Sequence, residues 1–256
     1  MSFAEALERL FRTGDASAIA AQLLHRVQME DGLALHIGRD AVVAELLTIA
    51  ASFGDCDISI DAAMAPGFVG FAVSGILRQL PFGTPLAAPV PATLRRHLWI
   101  ESEAGRAVRI TAITDWAGLA DTAGIARDPL AATIGAAHPA HRPLGELASG
   151  SGQLLALAPG ADAMARRNAR DFGDCDPKRR DWWLRLVARV PDAHFTFDRS
   201  IAAGARTALL WRLQGHVGGR RVSLPGSSVV AADGTETDFI DELALAATAC
   251  RAFYDH

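Results

Sequence analysis

Two aspartates sit where a strand-like run gives way to a helix-like one. Asp115 closes the β-rich run 107–114 and is followed by Trp116 and an alanine-rich helical pattern. Asp241 lies 126 positions further on, in the weaker copy ADGTETDFIDELALAATAC. A carboxyl at such a junction, facing apolar groups, can act as a general acid or base. Desolvation disfavours its charged form and lifts its pKa from about 3.9 toward the working range. The same place suits a helix N-cap, whose oxygen accepts amides of the first turn. Both roles stay open for Asp115, and capping is the preferred reading of Asp241, which Glu242 and a stronger helical pattern follow. Aligning the turns instead of the acids would put Ala244 opposite Asp115.

Two histidines can serve such an acid: His97, near the start of the preceding strand, and His36, just before Gly38-Arg39-Asp40. Either can relay a proton or polarise a carbonyl, although a lone strand histidine is as often a satisfied structural residue. Phe71, Trp99 and Trp116 can wall a pocket for a flat ligand, or can equally be core. Arg109 shares strand parity with Asp115, and Trp211 and His216 accompany Asp241 as candidates in the second half. No metal is expected: His138 and His141 form an HxxH pair without a third ligand. Cys56, Cys175 and Cys250 are odd in number and lack CxxC spacing, against both a disulfide framework and a zinc site. The sequence carries no GxSxG, Walker or GxGxxG motif, and its one lysine, Lys178, sits in the charged DPKRR run. Hydride, phosphoryl and serine-hydrolase chemistry lose support, and no cofactor is expected.

The elements that must position these groups follow from periodicity. Ser2 and Glu5 have capping-box spacing before an apolar stripe ending near Gly14. A second helix is expected to carry Ile19, Leu23, Leu24 and Val27, and a third to run from Asp40 to Gly54. DCDISIDA then alternates as a strand, Pro66-Gly67 turns into a strand carrying Phe71, Val73 and Leu77, and four prolines between Gln79 and Thr93 suggest a long loop. The pair 94–102 and 107–114 completes an antiparallel sheet of about four strands, an α+β order. After a linker within about 127–150, Asp181 caps a helix and the order returns. Phe195 matches Ile58 at an offset of 137, and Trp211 matches Phe71 at 140. Shrinking offsets are what an internal duplication leaves when its first copy has a longer third connection. The expected domains are therefore 1–127 and 128–256.

With 256 residues, half of them apolar, each half can bury a core. The net charge of −4 and the lack of a basic stretch argue against nucleic acid. No apolar run approaches the roughly 20 residues needed to span a bilayer, and MSFAEALERLF lacks the basic start of a signal peptide. The expectation is a cytoplasmic protein that binds a small molecule.

GRDAV opening a third helix, the DCDISID strand, and a last hairpin ending in Asp-Trp-Ala-Gly-Leu with Gly124 five residues on resemble the SnoaL-like polyketide cyclases. These belong to the nuclear transport factor 2-like superfamily, with the ketosteroid isomerases and limonene epoxide hydrolases. The resemblance covers residues 1–125 well and 160–250 more weakly. It implies tandem cone-shaped α+β barrels, each a curved antiparallel sheet around N-terminal helices with an apolar cavity. It also implies a cofactor-independent cyclase or isomerase type of reaction on a small apolar or polycyclic carbonyl compound. Asp115 falls on the family's acid/base aspartate, while His36 and His97 lie in segments that border the cavity in relatives. The isomerase pattern lacks its tyrosine, since Tyr254 is at the far end. An epoxide-hydrolase-like Asp-Arg-Asp set through Arg109 or Arg78 stays open, as does a non-catalytic binding or protein-interaction module. Relatives pair through their sheets, so the chain is expected to be its own pseudo-dimer.

Overall fold

The structure, a computed structural model, describes residues 1–80, 85–137, 158–173, 175–233 and 235–250. Helix α1 (Phe3–Thr13) opens on a capping box in which Ser2 Oγ accepts from the Glu5 amide and the Glu5 carboxylate accepts from the Ser2 amide. Helix α2 (Ser17–Ala21) is short, and the expected helix through Val27 is instead strand β1 (Leu23–Glu30). Leu23 and Val27 are both buried, and a separation of four puts two residues on one face of a strand as well as of a helix, so the spacing alone does not tell the two apart.

Strand β2 (Leu35–Ile37) leads into α3 (Arg39–Ser52), which ends two residues before Gly54 because Phe53 already begins β3 (Phe53–Met64). Then come β4 (Phe68–Gln79), β5 (Pro85–Glu103), β6 (Arg106–Thr114), α4 (Trp116–Thr122) and α5 (Arg127–Ala137). The sheet has six strands in the order β2-β1-β6-β5-β4-β3, antiparallel except for β1 against β6. Most of the proline-rich stretch expected as a loop is strand. β6 begins to pair with β5 only at Arg96, so Pro85, Pro89 and Pro91 lie where β5 is bonded on one side only and their missing N–H groups cost no ladder bond.

In the second half, α6 (Ala158–Asn168) and α7 (Pro177–Arg189) precede β7 (His194–Ala203), β8 (Arg206–Val217), β9 (Arg220–Val230) and β10 (Glu236–Ile240), with α8 (Glu242–Cys250) last. The sheet order is β10-β9-β8-β7. Asp176 caps α7, accepting the amides of Lys178 and Arg179 ahead of Pro177 at the first helical position; Asp181, the expected cap, lies one turn inside. Residues 127–137, expected to open the linker, form α5, which packs along α8. His138 and His141 lie outside the described residues.

Each sheet has two differently covered faces. Helices cover one face of the N-terminal sheet, burying Phe71, Val73, Leu94, Leu98, Ile110 and Ala112. α6, α7 and α8 bring Trp183, Leu186 and Leu243 into the same core as Phe195, Leu209, Trp211 and Leu213. The opposite faces meet each other, where Met64, Phe68, Trp99 and Ile113 pack on Ala208 and Leu210. The molecule is thus α+β, with two sheets back to back between helical layers. Among the described residues no helix is long and apolar enough to cross a membrane.

Candidate functional site

Strand alternation sends Arg96 to the helix-covered face and His97 to the face between the sheets. Arg96 has no exposed surface, and among the described residues none of its three guanidinium nitrogens has a hydrogen-bond partner. Its Nη2 lies 3.6 Å from Asp31 Oδ2 and 3.6 Å from Glu45 Oε1. Asp31 follows β1 in a tight turn, where its Oδ1 accepts the Leu33 amide at 2.8 Å and the Ala34 amide at 2.7 Å, leaving Oδ2 for the ions. Glu45 comes from the middle of α3. His36, on β2, places Nε2 at 3.9 Å from Asp31 and 4.0 Å from Glu45, again without a hydrogen bond. Thr114, the cross-strand partner of Arg96, adds a buried Oγ1 that is also unpartnered.

Burial works against charge on both Asp31 and His36, yet the net shift of each favours its charged form. The neighbouring His36 and the Arg96 guanidinium hold Asp31 below the usual carboxylate range. Burial opposes the imidazolium, but Asp31 and Glu45 outweigh it and raise the His36 pKa. The donor atoms of Asp31, His36 and Glu45 lie within 4.8 Å of one another, a spacing that can hold a metal ion. Arg96 and His36 already face those two carboxylates as their cations, which disfavours adding a metal ion there.

Asp115 and Asp241 hold equivalent places, one residue after the last strand of a sheet and one before a helix. Asp115 Oδ1 accepts the Gly118 amide at 2.7 Å, and Asp241 Oδ1 accepts the Ala244 amide at 2.8 Å, so both are N-caps. Capping leaves one oxygen over. Asp241 is 2% exposed and its Oδ2 has no partner. It reaches into the N-terminal half: a Cβ on Gly32 would lie 2.8 Å from that oxygen, so only glycine fits beside Asp31. Burial, with Asp31 and Asp115 nearby, pushes the Asp241 carboxyl well up, against the Ala244 hydrogen bond. Burial also raises Asp115, less completely enclosed, with Glu242 adding and the Gly118 amide opposing.

The remaining sequence candidates are spread through the molecule. His97 is 6% exposed between the sheets, its Nδ1 3.0 Å from Ser227 Oγ, and burial drops its pKa to about 3. Trp99 donates to the same Ser227 Oγ at 3.1 Å. Neither approaches His36. Phe71 packs on Phe11 with ring centroids 5.7 Å apart, and Trp116 is buried in the first turn of α4. Arg109 lies 4.0 Å from Glu30. In the second half Trp211 donates to Ser228 Oγ at 2.9 Å, and His216 pairs with Asp192 at 2.7 Å on the surface, remote from Asp241. The structure therefore joins His36 to three residues that sequence reasoning passed over, Asp31, Glu45 and Arg96, whereas Asp115 caps α4 and is linked to Asp241 only through charge. Arg96 was detectable, since it shares strand parity with Leu94 and Leu98, and a charge on an apolar face asks for a partner. Asp31 and Glu45 had no local signal.

A different ion network fills the helix-covered face of the C-terminal sheet. Arg167 Nη2 donates to Glu236 at 2.7 Å, Asp238 at 3.0 Å and Ser228 at 3.0 Å, and its guanidinium stacks 4.4 Å over Trp183 and 5.1 Å over Trp211. Arg179 and the Trp183 indole complete Asp238. A Cβ on Gly226 would fall inside the Trp211 ring, so the glycine is what admits the indole.

No protein-family model and no curated protein matches the chain. Solved structures do. A protein of ketosteroid isomerase-like fold from Catenulispora acidiphila, in complex with trimethylamine, is 11% identical at a TM-score of 0.38, over 48% of this chain and 93% of that one. TsrD from Streptomyces laurentii is 16% identical at 0.43, over 48% and 93%. A candidate SnoaL-like polyketide cyclase from Jannaschia sp. CCS1 is 12% identical at 0.40, over 47% and 90%.

Proposed function

We propose that the chain is a cofactor-independent acid–base enzyme of the cyclase or isomerase type, acting in its N-terminal half on a small apolar or polycyclic carbonyl compound. One observation carries this reading: among the described residues the enclosed Arg96 guanidinium and the buried Nε2 of half-buried His36 have no hydrogen-bond partner, a state that a bound oxygen acceptor would complete. Such a reaction removes a proton beside a carbonyl and stabilises the negative charge that grows on the oxygen. Arg96 and the imidazolium of His36 supply the positive charge, and Asp31 keeps His36 protonated. Asp115 is the acid/base carboxyl, its raised pKa bringing it nearer the working range, and Asp241, pushed well up by burial, is a second carboxyl shifted the same way. The C-terminal half is a divergent second copy of the same fold whose packed interior leaves it a supporting role, so the chain forms its own pseudo-dimer.

Exchange of α-protons for deuterium, followed by NMR over a panel of aromatic ketones and polyketide-like aldehydes, tests the chemistry directly. Wild-type protein should catalyse exchange in at least one compound, and Arg96→Met and His36→Gln should each lower the rate by about 10²-fold or more. Asp115→Asn keeps a capping oxygen, so a lost rate with an unchanged melting temperature assigns Asp115 to chemistry. Compounds that bind without exchange would leave a non-catalytic binding module. An epoxide-hydrolase-like reaction would rest on Asp31, Arg96 and Glu45, which form an acid–arginine–acid set that Arg109 and Arg78 do not.

A further inference from the structure

The geometry points to a second small-molecule site in the cleft between the two sheets, suited to a small hydroxylated organic anion. The two sheets touch closely around Trp99, Phe68 and Leu210 and diverge along β5 past His97, Arg95 and Thr93. The space that opens is about 610 Å³, within the usual range for a small-molecule site. It lies on the opposite face of the N-terminal sheet from Arg96 and His36, so it is separate from the proposed acid–base site.

Three features of the cleft select a ligand. Its floor is apolar, formed by Ala62, Ala72, Val229 and Phe239, and can receive a carbon skeleton. Hydroxyls stand on both walls, Ser59, Ser74 and Thr93 on one side and Thr235 and Thr237 on the other. Arg95 and Arg206 face it from opposite sheets against one carboxylate, Asp61, giving the lining a net positive charge. Arg206 is held across the gap, its Nη1 donating to the Asp61 carbonyl at 3.0 Å. Guanidinium groups pair most strongly with carboxylate or phosphate oxygens.

At the cleft's inner end stands a neutral imidazole, His97, which offers one polar ring edge to a ligand. Ser227 is fully buried and meets His97 Nδ1 and the Trp99 indole. The indole N–H donates to Ser227 Oγ, and His97 Nδ1 shares a hydrogen bond with the same oxygen. The low pKa that burial gives His97 keeps the ring uncharged throughout. Phe239 holds it by ring contact at 4.1 Å between centroids. None of these groups takes part in the chemistry proposed above.

Calorimetric titration of the full chain at low ionic strength with gluconate, glucose 6-phosphate and uncharged glucose tests the site. At least one anion should bind about tenfold or more tighter than glucose. Preference for gluconate identifies a carboxylate ligand, and preference for glucose 6-phosphate a phosphate ester. The double variant Arg95→Ala/Arg206→Ala should remove the preference, and Ser74→Trp, at an exposed wall position, should block binding. His36→Gln should leave binding unchanged, which separates this site from the enzyme reading. Equal binding of anions and glucose, or anion binding that survives either cleft variant with its melting temperature intact, would overturn the proposal.

Discussion

The helix-covered faces of the two sheets hold the same kinds of group in opposite states of completion. In the C-terminal half Arg167 and Arg179 meet Glu236 and Asp238 through direct hydrogen bonds, and Trp183 and Trp211 fill the space around them. In the N-terminal half Arg96 stands 3.6 Å from two carboxylates with every guanidinium nitrogen unpartnered among the described residues. A satisfied buried network specifies packing, whereas an unsatisfied one is costly unless something else completes it. The difference teaches which of the two networks keeps unmet hydrogen-bonding capacity.

Stability measurements can break that contrast. Arg167→Met removes hydrogen bonds to Glu236, Asp238 and Ser228 and the stacking on two indoles, with Arg179 left as the remaining cation, and should cost about 3–5 kcal/mol in urea unfolding. Arg96→Met forfeits no hydrogen bond and leaves His36 as a cation for Asp31 and Glu45, so its cost should be smaller, about 1–3 kcal/mol. Equal losses would make both networks structural. Next in size is Gly32→Ala, whose Cβ would meet Asp241 Oδ2 at 2.8 Å and Ala244 Cβ at 2.9 Å; overpacking of this kind costs about 1–3 kcal/mol. In a double-mutant cycle with Asp241→Ala the two changes should be clearly non-additive, because they share one contact. Additive effects would mean that Asp241 does not reach the N-terminal half.

Smaller effects appear in the pH profile. Asp241 has a raised folded pKa, so its contribution is fully present below the ordinary aspartate value and is lost as pH rises through the folded one. Asp241→Asn should therefore flatten the stability curve above about pH 4 while keeping the cap. His36 is also raised, so its stabilisation should be largest below about pH 6.5 and fade above it. Asp31 is lowered, so its share is present above about pH 4 and lost on acidification. The difference between wild type and His36→Gln should then peak on the acid side of neutrality. Smallest of all, His216→Ala removes an exposed pair with Asp192 and should leave the melting temperature unmoved.

Much of the architecture was legible because its signals are local. The capping box at Ser2, the alternation in β3 and β4, and the acid at each strand-to-helix junction all appear in the structure as expected. The errors have local causes too. Leu23 and Val27 are four residues apart, a separation that shares one face in a strand as in a helix, and prolines suggested a loop where β5 is merely bonded on one side. Site residues were harder to find. His97 and Trp99 sit on a strand rich in chemistry-bearing types, but alternation turns them toward the other sheet, while the neighbouring Arg96 turns inward.

By itself, the sequence determined the α+β order, the helix caps and the acids at the two junctions, because caps, turns and periodicity depend on neighbours a few residues apart. Tertiary structure alone decided which charges meet. Asp31, Glu45 and Arg96 are distant in the chain and converge only when β1, α3 and β5 share one face. It also decided that Asp241 belongs beside Gly32 of the other half, since burial and partner distance are set by packing between elements.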